Sequence, residues 1–189
     1  LNELEVFHHR YPHVKLRISN HSTPQAVQAL ENGLVDFAVV TTPVNLTNDM
    51  KSESLCSFND ILIAGPKYKQ LCNKALHLEE LQEYPFISLV EGTGTHDHYT
   101  KFFYDNDLHF NLDMEASTTD QVLAMVQSNL GLGFYPEQLA SEYIMRGEIF
   151  PVSLHESVPE RDIILIRESR HAENIAAKKL INFLKHTTN

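Results

Sequence analysis

The first forty residues place helix and strand signals in strict alternation, with a boundary residue at each change. Leu1, Leu4, Phe7 and Tyr11 recur at helical spacing, and Pro12 ends the run because the residue before a proline is pushed out of the α region. Val14, Leu16 and Ile18 alternate with Lys15, Arg17 and Ser19, which predicts a strand. Thr23-Pro24 offers an N-cap oxygen followed by a proline at the first helical position, with Ala26, Val27 and Leu30 as the buried stripe. Gly33 follows as a C-cap, and Val35 to Val40, apolar except for Asp36, reads as a parallel strand covered on both faces.

The alternation continues. Ser54 to Phe58 is an extended segment that runs through Asn59-Asp60 into the strand Ile61-Leu62-Ile63-Ala64. Leu78 and Leu81 suggest a short helix, Phe86 to Val90 a buried strand, and Glu91 to Thr95 a tight turn into a helix carrying Tyr99, Phe102 and Phe103 on one face. A strand is expected over 110–116, then a helix with Val122, Leu123, Val126 and Leu130, closed by Gly131. Leu132 to Tyr135 is a short strand, Pro136 starts a helix, and Ile149 to Val152 is placed at a sheet edge because it contains proline. Asp162 to Arg167 is a strand, and Ile175, Ala176, Leu180, Ile181 and Leu184 mark a helix from about His171 to His186.

Strands alternating with helices imply an α/β fold with mostly parallel sheets. The chain is expected to change lobe near Asp60 and to return near Arg161, so Asn59, Asp60, Arg161 and Asp162 form a two-crossing hinge. Lobe I is then 1–60 plus 161–189, and lobe II is 61–160.

This pattern resembles the effector-binding domain of LysR-type transcriptional regulators. There, a helix ending in Tyr-Pro, a strand, and Leu-x-x-Gly-x-x-Asp before a second strand recur, as in Tyr11-Pro12 and Leu30 to Asp36. Asp60 to Ala64, Leu78-Glu79-Glu80-Leu81, and Val122 to Val126 leading into Gly131 to Pro136 are similar to later signatures of that family, in the same order. The resemblance implies two Rossmann-like lobes of the periplasmic-binding-protein type II kind, with a small, often anionic effector held in the cleft between them. It further implies a homodimer of this domain, a tetramer in the full-length protein, and DNA contact only through a winged helix-turn-helix upstream. A first strand with its ligand-contacting loop would also precede the opening helix. A transporter's solute-binding protein shares this fold and is the alternative, which a secretion signal upstream would favour.

Charge and composition fit that picture. Fifteen basic against 25 acidic residues, a net charge of −10, argue against a broad phosphate-binding surface on this chain itself. The apolar runs are strand-length, far short of the roughly 20 residues of a membrane span, and no signal peptide opens the chain, so a cytoplasmic setting is expected. Cys56 and Cys72 lack Cys-x-x-Cys spacing, which fits a reduced compartment, with Cys56 on a strand and Cys72 in or near a loop.

In open α/β sheets ligands bind beyond the carboxyl ends of the strands, at turns that open helices with unpaired N–H groups. Four such turns stand out: His21-Ser22-Thr23-Pro24, Gly92-Thr93-Gly94-Thr95-His96, Ser117-Thr118-Thr119-Asp120 and Phe134-Tyr135-Pro136. The expected effector contacts are His21, Ser22, Thr23, Thr42, Gly92, Thr93, Gly94, Thr95, His96, Ser117, Thr118, Phe134, Tyr135 and Pro136. In the LysR resemblance Thr23 takes the place of a ligand-contacting Ser or Thr. The competing explanation for each hydroxyl is that it caps its own helix, and for Phe134 that it packs the core. Protonation of His21 or His96 would help to neutralise an anion, so affinity is expected to rise as pH falls through about 6.5. No cofactor is expected, and no metal: His96 and His98, two apart on a helix, point away from each other. No nucleophile elbow or His-Glu-x-x-His motif is present, and Glu79-Glu80 sits on a solvent face, so an enzyme is not expected.

Overall fold

The computed structural model describes residues 2–169 and 174–187. Leu1 and His171 of the expected helical stripes lie outside the described residues. The chain divides into two compact units, Leu1–Ser57 with Asp162–Asn189 (unit 1) and Phe58–Arg161 (unit 2), so it passes between them at residues 57/58 and 161/162.

Unit 1 holds the helices α1 (Asn2–Arg10), α2 (Thr23–Glu31) and α6 (Ile175–Thr187), with a three-stranded sheet in the order β1 (Ala38–Thr41), β8 (Arg161–Glu168), β2 (Met50–Phe58), of which the end residues Arg161 and Phe58 belong to unit 2. Phe7, fully buried, carries α1 onto α6 through an edge-on contact with the Phe183 ring at 6.0 Å. Ala26 and Leu30 of α2 pack with Val40, Met50, Ile164 and Ile166 to form one core.

Several expectations change here. No strand forms over 14–18. Leu16 and Ile18 are 36% and 68% exposed, and the backbone of this stretch has no ladder partner among the described residues, so alternation alone does not make a strand. The cap of α2 is Ser22 rather than Thr23: Ser22 N–H donates to Gln25 Oε1 at 3.1 Å, half of a capping box, and Pro24 falls one position further in. The strand expected from Val35 begins at Ala38 and pairs antiparallel, not parallel, with β8, a neighbour from the far end of the chain whose direction no local pattern states.

Unit 2 is built on a five-stranded sheet in the order β5 (Met114–Ala116), β4 (Phe86–Leu89), β6 (Leu132–Pro136), β3 (Asp60–Ala64), β7 (Phe150–Val152). β4 runs parallel to β5 and β6, whereas β3 is antiparallel to β6 and β7, so the sheet is mixed rather than mostly parallel. Proline-containing β7 is an edge strand. The two-residue alternation of strands sorts the core into two faces. Leu62, Ala64, Phe86 and Phe134 face α3 (Gly94–Tyr104) through Tyr99, Phe102 and Phe103, together with Tyr68, Leu71, Leu78 and Leu81 of two 3₁₀ turns, Pro66–Asn73 and Leu78–Leu81. Ile63, Ile87, Ala116 and Tyr135 face α4 (Thr119–Gln127) and α5 (Glu137–Met145) through Val122, Leu123, Val126 and Ala140.

Two further corrections concern the ends of elements. The strand expected over 110–116 is ordered as one only from Met114, where Ile87, Ser88 and Leu89 supply its pairing partners. Gly131 does not close α4. That role falls to Asn129, at φ +62, and Leu130 is 44% exposed. Gly131 is needed for a different reason, since a Cβ there would stand 2.4 Å from the Pro85 carbonyl oxygen.

Candidate functional site

The register of unit 2 brings the sequence-predicted turns of that unit to one edge. β4 and β5 are parallel with Leu89 opposite Ala116, and β4 and β6 are parallel with Phe86 opposite Leu132, so all three end on the same side of the sheet. The turns 92–96, 117–118 and 134–136 therefore open α3, α4 and α5 from that edge. Antiparallel β3 starts there, with Asp60 opposite Pro136, and Arg161 joins Asp60 by an ion pair. The chain thus enters and leaves unit 2 beside the turns.

Each turn has its own local chemistry. Gly92 takes φ +81 with open space where a Cβ would stand, as a tight strand-to-helix turn requires. Thr93 is buried; its hydroxyl donates to the Val90 carbonyl at 2.9 Å and accepts from His96 N–H at 3.3 Å, which caps α3. The Thr118 hydroxyl caps α4 by accepting from Gln121 N–H, and Gln121 Oε1 in turn accepts from Ser117 N–H at 2.8 Å. These hydroxyls serve their own helices. Thr95 differs: its hydroxyl accepts from Arg161 Nη2 at 2.9 Å. Gly94 is buried behind it. Phe134 and Tyr135 are core residues, Phe134 stacked on Tyr99 at 4.4 Å, while half-buried Pro136 precedes α5, whose first N–H, at Glu137, donates to the Asn59 carbonyl.

A charged network lies under the α3 turn. Asp60 and Arg161 are both almost fully buried, with Nη1 3.1 Å from Asp60 Oδ2, and the guanidinium also lies over the Phe58 ring at 5.3 Å. Removing one partner of such a pair costs about 3–5 kcal/mol, because the other charge is left buried alone. Burial first, and the Asp60 carboxylate second, push the Tyr99 hydroxyl well above its ordinary range, so it stays protonated. His98 is driven down to about 4, mainly by burial and then by Arg161, and its Nε2 has no hydrogen-bond partner. His98 therefore stays neutral at pH 7. His98 and Tyr99 are absent from the sequence-predicted site. The available signal is a pair of opposite charges, Asp60 and Arg161, each standing just before an apolar run, Ile61 to Ala64 and Ile163 to Ile166, where a buried charge needs a partner.

In unit 1 the predicted residues fall at two places. Exposed His21 and capping Ser22 precede Thr23, whose side chain takes no part in the cap. Thr42 holds the start of β8: its hydroxyl accepts from Asp162 N–H at 2.9 Å, and its own N–H donates to the Asp162 carbonyl. Asp162 Oδ1 in turn accepts from the Ser57 hydroxyl at 2.7 Å. A cavity of about 540 Å³ also lies in unit 1, walled by residues that include Leu30, Asp36, Lys51 and Arg167, and none of the predicted contacts lines it. Its charges are of both signs, and Arg167 is held by Glu53 at 2.7 Å.

Among the described residues no three His, Cys, Asp or Glu side chains gather as a metal site. Cys56 lies on β2 and Cys72 in a 3₁₀ turn; both are free thiols, and burial pushes Cys72 above its ordinary range. No described helix is long and apolar enough to cross a membrane.

Comparison with known proteins decides the family. The LysR substrate binding domain matches residues 3–189. The chain belongs to this family. The LysR domain described here is 30% identical over 131 residues to the HTH-type transcriptional regulator CysB of Haemophilus influenzae, a match that covers 69% of this chain and 40% of that protein. It is 27% identical to the HTH-type transcriptional activator CmpR of Synechocystis, over 68% of the chain and 42% of the relative. These curated relatives are transcriptional regulators, and the LysR domain matches less than half of their length. Its fold matches the regulatory domain of CcmR from Synechocystis, solved in complex with 2-PG, at TM-score 0.88 and 14% identity over 100% of this chain and 90% of that one. The effector-binding domain of QuiR in complex with shikimate matches at TM-score 0.83 and 15% identity, over 99% of this chain and 88% of that one. The two-sheet α/β architecture is therefore that of LysR regulatory domains, of the periplasmic-binding-protein type II kind.

Proposed function

We propose that this domain senses a small anionic effector for a cytoplasmic, DNA-binding LysR-type transcription factor. The observation that carries the reading is the edge of unit 2, where the turn 92–96 opens α3 over a buried guanidinium. The start of a helix favours an anionic oxygen, and behind this one the Arg161 guanidinium, itself paired with Asp60, fixes the Thr95 hydroxyl in place. Thr95 and His96, with Ser117 and Thr118, are the proposed contacts in unit 2; His21, Ser22, Thr23 and Thr42 are those in unit 1. The complexes of CcmR with 2-PG and QuiR with shikimate support a small, oxygen-rich effector. Binding would act by linkage: an effector that prefers one arrangement of a homodimer or tetramer shifts its population and so repositions DNA-binding domains supplied elsewhere in the protein. Asn59, Asp60, Arg161 and Asp162 are the proposed hinge.

The test is calorimetric titration with 2-PG and shikimate. Thr23→Val should weaken the binding of whichever compound is taken up by about 1–3 kcal/mol, by leaving a ligand acceptor unpaired. Unchanged affinity in a folded variant removes Thr23 from the site, and absence of binding by both compounds overturns this effector class.

A further inference from the structure

Arg161 makes contacts that a simple ion pair does not need. Its planar fork reaches acceptors on different elements: Nη1 meets Asp60 Oδ2 at the start of β3, and Nη2 meets Thr95 Oγ1 in the first turn of α3. The same guanidinium covers Phe58, the first residue of unit 2. The next residue, Asp162, is held on the unit 1 side by Ser57 and Thr42. Residues 161 and 162 are thus each bonded to the other crossing strand, at Asp60 and Ser57 respectively. Thr95 extends this bracing into the predicted ligand turn 92–96, as the Glu137 N–H bond to the Asn59 carbonyl ties the turn 134–136 to the entering strand.

We propose that Arg161 is a positioning residue, locking the open end of α3 through Thr95 to both strands by which the chain enters and leaves unit 2. What binds at the turn is then felt at the two crossings. This deepens the effector-binding reading and rests on it for the identity of the turn as a site. The bond suits the task because a charged donor strengthens it and the Arg161 side chain, 4% exposed, leaves little solvent to compete for it.

Hydrogen exchange on the whole chain tests the link without any ligand. Thr95→Val keeps the branched shape and removes the acceptor, so the amides of Phe58 to Leu62 and of Arg161 to Ile164 should exchange about tenfold faster, the size of effect expected for losing a hydrogen bond to a charged group. Ile87 and Leu132, in the same sheet, should be unaffected, and Thr95→Ser should restore slow exchange. Unchanged crossing amides overturn the proposal, as does uniform acceleration across unit 2 or a failure of serine to rescue. Addition of 2-PG to the wild-type chain should slow exchange at Thr95 and His96 and at both crossings together; protection of the turn alone also overturns the proposal. No response to 2-PG, with the variant pattern intact, supports the mechanical link and counts only against the effector reading.

Discussion

In unit 2 a five-stranded sheet lies between two apolar cores, whereas the sheet of unit 1 has three strands and leaves Val39 on β1 45% exposed. The contrast shows what turns a sequence pattern into a strand. Val14 to Ile18 has better strand composition than Met114-Glu115-Ala116, yet only the latter is a strand. Met114 to Ala116 has Ile87 to Leu89 alongside to complete its ladder, and Leu16 and Ile18 face solvent with no such neighbour among the described residues. The units also differ in where charge is placed. Unit 2 buries Asp60 and Arg161 at the edge where its turns open, while Glu53 and Arg167 in unit 1 pair at part-exposed positions.

Substitutions can break this contrast. The largest effect is expected in the aromatic core of unit 2: Phe134→Ala removes a ring stacked on Tyr99 and Phe86 and should cost about 3–5 kcal/mol in urea denaturation. Hydrogen exchange should locate that loss in unit 2; equal loss of protection in unit 1 would show that the units unfold as one.

An intermediate, pH-dependent effect is expected from His98. Its pKa is about 4 in the folded chain and ordinarily 6.5, so the unfolded chain takes up this proton first as pH falls. The contribution is fully present above 6.5 and is lost progressively toward pH 4. His98→Gln should therefore lose less stability than wild type between pH 7 and 4.5 in thermal melts, and parallel curves would show that His98 is not held neutral. The smallest effect is expected from Ile18→Thr, within about 0.5 kcal/mol in the same denaturation assay, since this side chain is already in solvent. A loss well beyond that would mean the stretch is packed in solution.

Periodicity and boundary chemistry made most elements legible in the sequence. Tyr99, Phe102 and Phe103 recur along one face of α3, Thr93 and Thr118 stand where helix caps are needed, and the proline of β7 marks an edge; each signal is local and survives in isolation. The family too was legible, because the order of its short signatures is a property of the chain. Pairing direction was not. Val39 lies opposite Leu165, and Ile61 opposite Tyr135, because distant segments come together, and no local pattern states whether they meet parallel or antiparallel. The same limit applies to chemistry. The sequence offered four hydroxyl-bearing or aromatic turns as equals, and only packing separated Thr93 and Thr118, which cap their own helices, from Thr95, which meets a buried guanidinium 66 residues away. A buried charge is tolerated only when its partner arrives, and that partner is chosen by the tertiary fold.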